Sequence, residues 1–217
     1  MKTHYIEIAK TARYYVLGKP SKKIKNVWFL CHGYSQLAER FLTQFESLDD
    51  GENLLVAPEG LHRLYLEGMS GKVGASWMTR EDRNNDIIDY VKYLDQVYEE
   101  VMLDPLIENV NINVLGFSQG TATVCRWMTM GKSSATRIFL WAGAVPDDLN
   151  FEKDVSKLNK LKPVILLGRQ DEYITEDDLK KHLVFLEKVN MNYDLIMYEG
   201  MHRIDPSTLQ ELAELTY

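Results

Sequence analysis

Residues 111–130 constrain this chain more than any other stretch. Asn111-Ile112-Asn113-Val114-Leu115 reads as a short buried strand, and residues 121–128 have the composition and apolar spacing of a helix. Between them stands Gly116-Phe117-Ser118-Gln119-Gly120. A Ser with Gly two residues away on each side suits a sharp strand-to-helix elbow: the Ser backbone is held in a sparsely populated conformation, and a Cβ at either flank would collide with the neighbouring strand or helix. Such a turn pushes the Ser118 hydroxyl beyond the sheet edge. It also leaves the Gln119 N–H at a helix start, where it faces a developing oxyanion. A chance Gly-x-Ser-x-Gly is expected roughly 0.07 times in a chain this long, and the flanking strand and helix reduce that further. The competing reading is an ordinary glycine-rich turn.

The other segments form a βα alternation around this elbow. Residues 5–9 and 13–17 have strand character and predict an antiparallel hairpin at the sheet edge. Residues 26–31 are almost continuously apolar, as in a strand covered on both faces, and lead into His32-Gly33-Tyr34-Ser35. Ser35 is expected to cap a helix with Leu37, Phe41, Leu42, Phe45 and Leu48 as its buried stripe. A strand at 53–57 precedes residues 59–80, which show no sustained periodicity and predict a functional loop. A long helix opens at Glu81 or Asp82. Further strands are expected at 138–141, 163–168 and 193–198, and a short helix is possible within 147–162. Thr175 and Asp205-Pro206 signal the starts of the last two helices.

This order implies right-handed parallel crossovers and a doubly wound sheet in a single domain over residues 1–217, with no separate cap domain. The 217 residues are 45% hydrophobic, which suits one sizeable core. The net charge of −7, with no basic run, argues against nucleic acid or anionic membranes as partners. No segment has the roughly 20 apolar residues a membrane span needs, and the amino-terminal residues lack a signal-peptide core. The chain is therefore expected to be cytoplasmic, with Cys31 and Cys125 as buried thiols rather than a disulfide. Nothing fixes the oligomeric state.

In a parallel sheet every strand-to-helix loop lies at one edge, outside the carboxyl ends of the strands. The loops carrying Tyr34, Trp77, Ser118, Asp171 and His202 are all of this kind. Ser118 needs a base, and that base needs a fixed tautomer. His202, in a loop directly after a strand, is the best candidate; His182, inside an apparent helix beside Lys180 and Lys181, reads as solvated. Asp171 is the expected acid, with Glu172, Asp147 and Asp148 as alternatives. The backbone N–H groups of Tyr34 and Gln119 are the expected oxyanion donors. Trp77, Tyr65, Met69 and Met78 are candidates for lining a substrate groove, though core or loop packing fits each equally well.

The order Ser, Asp, His resembles the α/β-hydrolase superfamily. More narrowly, five features resemble the phospholipase/carboxylesterase group that includes the acyl-protein thioesterases. These are His32-Gly33, Gly116-Phe117-Ser118-Gln119-Gly120, Gly168 to Asp171, Gly200-Met201-His202, and Trp77 before the long helix. The resemblance implies a mostly parallel sheet of about eight strands with helices on both faces, no metal or cofactor, and hydrolysis of small-molecule esters through an acyl-enzyme. Where that group has a small residue or Leu and then Gly-Asp after His-Gly, this chain has Tyr34-Ser35-Gln36. It also has Met201 in place of a Gly before the histidine. Thioester hydrolysis on acylated proteins, or lysophospholipase-like action on longer acyl chains, is the alternative. A non-catalytic binding protein of the same fold is the third reading.

Overall fold

A computed structural model describes residues 1–215. Its strands are β1 (Tyr14–Leu17), β2 (Asn26–Cys31), β3 (Asn53–Pro58), β4 (His62–Tyr65), β5 (Val73–Ser76), β6 (Asn111–Phe117), β7 (Arg137–Trp141), β8 (Val164–Gly168) and β9 (Asp194–Tyr198). Seven of them form the main sheet, in the order β1-β3-β2-β6-β7-β8-β9. β1 runs antiparallel to β3, and every other pairing in this sheet is parallel. β2 and β3 are buried along their whole length because helices cover both faces.

Alternate side chains of each strand enter different cores, as the two-residue strand period requires. Trp28, Leu30, Leu115 and Phe139 pack on one face with Phe41 of α1 (Ala38–Leu42) and with Leu209 and Leu212 of α6 (Pro206–Leu215). Val27, Phe29, Val114 and Leu140 pack on the other face with Tyr90 and Leu94 of α2 (Arg83–Met102) and Trp127 of α3 (Gln119–Met130). α4 (Phe151–Lys160) and α5 (Glu176–Lys188) complete the helical layers. Thr175 caps α5 in a reciprocal box with Asp178, and Asp205 Oδ2 accepts the Thr208 N–H at the start of α6, both as expected. Cys31 and Cys125 are buried free thiols.

Three local expectations are corrected. Residues 5–9 form no strand, so the main sheet has seven strands rather than about eight. The arm instead runs beside α2, with Glu7 at Lys92 and Tyr14 hydrogen-bonded to Glu100. Ser35 does not cap α1: its φ of 65° turns the chain, Leu37 stands at the cap, and α1 tightens into a 3-10 helix over Thr43–Leu48. Residues 59–80 are not irregular throughout, because β4 and β5 pair as an antiparallel hairpin. Tertiary bonds hold that hairpin: the Ser35 N–H donates to Ala75 O at 2.9 Å, and the Ala75 N–H to Gln36 O at 3.2 Å. Among the described residues no helix is long and apolar enough to cross a membrane.

Candidate active site

Ser118 sits between β6 and α3 with φ 53° and ψ −115°, a conformation that costs a non-glycine residue free energy. The surrounding packing imposes it. A Cβ on Gly116 would lie 2.3 Å from Gly120 O, and one on Gly120 would lie 2.1 Å from Cys31 O, so only glycines let β6, α3 and β2 approach this closely. The Ser118 N–H donates to Trp141 O at 2.8 Å, tying the elbow to β7. Gln119 is the first residue of α3, so its N–H has no intrahelical acceptor and carries the positive end of the helix dipole.

The candidate acid and base arrive on neighbouring loops stitched together by backbone bonds. Arg169 N–H donates to Tyr198 O and Gln170 N–H to Gly200 O, both at 2.9 Å. This brings His202 Nδ1 to 2.8 Å from Asp171 Oδ2, where the carboxylate is 1% exposed and the imidazole 13%. The other carboxylate oxygen accepts the Tyr173 N–H at 2.9 Å. A carboxylate only accepts, so the proton on this edge of the ring belongs to Nδ1, and in the neutral imidazole Nε2 then carries the lone pair. Phe117 and Tyr173 flank the ring at centroid distances of 5.0 and 4.8 Å.

Two of the alternative acids have other partners, and the third, Asp147, is exposed. Asp148 pairs with Arg126 at 3.0 Å and with Arg83 at 2.7 Å, and Glu172 accepts the backbone N–H of His202. Ser118 and His202 line one cavity of about 360 Å³ with Leu167, Ile174, Leu179 and His182. Among the described residues no hydrogen bond joins the Ser118 hydroxyl to the imidazole, as in many unliganded enzymes whose catalytic bonds tighten on binding.

His32 organises the loop opposite the elbow. It is fully buried, and desolvation pushes its imidazole down to about 4, so it is neutral at ordinary pH. Its Nε2 accepts the Gly60 N–H at 2.9 Å, which leaves the proton on Nδ1 to donate to Gly33 O at 2.7 Å. The Gly33 N–H donates to Gln36 Oε1 at 2.8 Å, and a Cβ on Gly33 would lie 3.2 Å from Ser118 Cβ. The Tyr34 backbone therefore follows directly on the residue packed against the elbow, while its side chain is exposed. On this side a second cavity of about 250 Å³ begins at Ser35 and Gln36.

None of the four residues considered for a substrate groove lines the cavity holding Ser118 and His202. Trp77 is fully buried, donates from its indole to His32 O at 2.8 Å and stacks on the His32 ring, so it supports the loop from behind. Tyr65 and Met69 stand exposed on the hairpin, and Met78 is half-buried near Arg126. The Gln119 side chain is also structural, accepting from the Trp77 N–H and donating to Ser76 Oγ and Met78 O, each at 3.1 Å. His182 is half-buried rather than fully solvated. It faces the cavity, its Nε2 accepts the Val145 N–H at 3.3 Å, and burial lowers its pKa. The spacing Leu179, His182, Leu186 places it on the inner face of α5, a signal obscured by the adjacent lysines. Among the described residues no group of three or more His, Cys, Asp or Glu is placed to hold a metal ion.

Solved structures share this architecture at low sequence identity. Acyl-protein thioesterase 2 from Zea mays superposes with a TM-score of 0.72 at 15% identity, over 94% of this chain and 97% of that one. The Bacillus cereus carboxylesterase gives 0.66 at 16% identity, over 94% and 93%. Arabidopsis thaliana SOBER1 gives 0.64 at 16%, over 88% and 96%. At such identities the likeness concerns the fold. No curated protein sequence matches significantly. The model of the phospholipase/carboxylesterase family matches residues 13–217, and the chain belongs to that family.

Proposed function

We propose that this protein is a serine esterase. Ser118 Oγ attacks the ester carbonyl while His202 Nε2 removes its proton, and Asp171 holds the tautomer and stabilises the imidazolium that forms. The Gln119 and Tyr34 N–H groups receive the oxyanion. His202 then returns the proton to the departing alcohol, and water releases the acid by the same steps in reverse order of roles. The mechanism requires no metal or cofactor.

The observation that carries this reading is the 2.8 Å Asp171–His202 pair facing the same cavity as a strained Ser118 elbow. Because His202 must protonate the leaving oxygen, the apolar cavity beside it serves the alcohol, and the acyl group extends past the oxyanion loop. Cavities of about 360 and 250 Å³ stand below or near the lower end of small-molecule sites, which favours small or medium groups on both sides. The test is Ser118→Ala, for which kcat should fall by about 10⁶. Retention of more than about a tenth of the rate would rule the mechanism out.

The likeness to a maize acyl-protein thioesterase supports a second reading, a thioesterase for longer acyl chains. A series of oxygen esters and thioesters of increasing acyl length separates the two. The esterase reading expects kcat/KM to peak at short or medium acyl groups.

A further inference from the structure

The cavity beyond the oxyanion loop has a character of its own. Gln36, just before α1, Arg40 within α1 and Gln44 in the 3-10 helix that continues it all line this cavity. Phe41, Leu66 and Val73 supply apolar surface beside this polar row. The inner end of the row belongs to the reaction centre, because Gln36 Oε1 holds the Gly33 N–H at 2.8 Å and Gly33 packs against Ser118.

Arg40 stands one step further out. Among the described residues its guanidinium has no carboxylate partner and no hydrogen bond, while its backbone oxygen accepts from Thr43 Oγ1. Among the described residues the adjacent Glu39 makes no ion pair with it. The cavity therefore offers an exposed, unpaired cation four residues after Gln36, beside apolar surface suited to methylene groups. The chain as a whole carries −7, so attraction of an anion here is local.

We propose that Arg40 and this cavity form an anion-accepting acyl subsite, and that the preferred substrates are monoesters of short dicarboxylic acids. The inference rests on the serine esterase reading, which sends the acyl group this way. With the carbonyl oxygen at the Tyr34 and Gln119 amides and the alcohol on the His202 side, the acyl methylenes pass Gln36 and cross Phe41 and Val73. The distal carboxylate then meets the Arg40 guanidinium, whose planar fork matches it, with the Gln44 amide alongside. Hydrolysis cleaves the acyl C–O bond, adds water, and yields a free alcohol and a dicarboxylate.

The test compares the p-nitrophenyl monoester of adipic acid with p-nitrophenyl hexanoate, each corrected for spontaneous hydrolysis, on the wild type, Arg40→Gln and Arg40→Lys. An exposed charge pair is worth up to about 1 kcal/mol, or about five-fold. The adipate to hexanoate ratio of kcat/KM should fall about five-fold in Arg40→Gln, mainly through KM. It should be partly restored in Arg40→Lys, and the wild-type preference should shrink as salt is raised. A ratio that is the same in wild type and Arg40→Gln, with both esters hydrolysed and Ser118 labelled by a fluorophosphonate, overturns the subsite and leaves the esterase reading standing. Failure to hydrolyse either ester, with no labelling, overturns both.

Discussion

Replacing Asp171 by Asn changes one atom of a nearly fully buried side chain and, on the proposed mechanism, reverses the protonation of the base. The carboxylate accepts two N–H groups: His202 Nδ1 at 2.8 Å and the Tyr173 amide at 2.9 Å. An Asn offers one acceptor and one donor group. If its oxygen keeps the Tyr173 N–H, its NH₂ faces Nδ1, which must then be an acceptor, and the ring proton moves to Nε2. A protonated Nε2 cannot take the Ser118 proton. The flipped amide would instead oppose two N–H groups at Tyr173, at a cost of about 1–3 kcal/mol, so the unproductive tautomer is favoured. In Ser-His-Asp sites this substitution lowers kcat by about 10⁴, about 5.5 kcal/mol in the barrier. The assay is steady-state hydrolysis of p-nitrophenyl butyrate, normalised by active-site titration, with a thermal melt to confirm folding. A folded Asp171→Asn enzyme that loses less than about ten-fold in kcat would refute the assignment of Asp171 and the tautomer derived from it.

Other consequences are equally direct. In Gly143→Ala the new Cβ would lie 2.5 Å from Ser118 O and 2.6 Å from Thr121 Oγ1; stability should fall by about 1–3 kcal/mol by chemical denaturation, with slower fluorophosphonate labelling. Arg126 is 3% exposed and serves Asp148 and Tyr90; because Arg83 still pairs with Asp148, Arg126→Ala should cost about 1–3 kcal/mol in the same assay. Gln119→Ala leaves the proposed oxyanion amide in place but removes the clamp on residues 76–78; a loss of about 1–3 kcal/mol is expected from urea melts. For His32, with a folded pKa of about 4 against 6.5 unfolded, both states are neutral above pH 6.5 and its stabilising effect is fully present there. Between pH 6.5 and 4 the unfolded chain binds the proton first, so about 3 kcal/mol should be lost across that window, with half-buried His182 adding in the same direction. Urea midpoints taken every half pH unit, for wild type and His32→Asn, check this: the slope should flatten in the variant.

The elbow was legible because local and tertiary demands coincide there. β6 must turn within five residues, and the two flanking glycines mark where three backbones meet. The Thr175 box and the Asp205-Pro206 start were legible for a similar reason, since a helix end is decided by the residues beside it. Residues 5–9 misled because alternation states only that a segment is able to pair, and the pairing edge is a property of the whole sheet. The β4–β5 hairpin is held by Ser35, Gln36 and the Gln119 side chain, all distant in sequence, so no local pattern announced it. Trp77 reads equally well as groove or core; what decides is the His32 carbonyl that its indole reaches, 45 positions away. His182 could have been placed correctly by weighing its spacing from Leu179 and Leu186 above its charged neighbours.

Everything proposed for the site depends on Ser118 being a nucleophile armed by His202. Intact mass after incubation with a small fluorophosphonate tests this most directly, on the wild type, Ser118→Ala and His202→Ala. One covalent adduct is expected on the wild type, none on Ser118→Ala, and none on His202→Ala over the same incubation. A folded wild-type protein that takes no adduct, or a Ser118→Ala protein that still takes one, would contradict it.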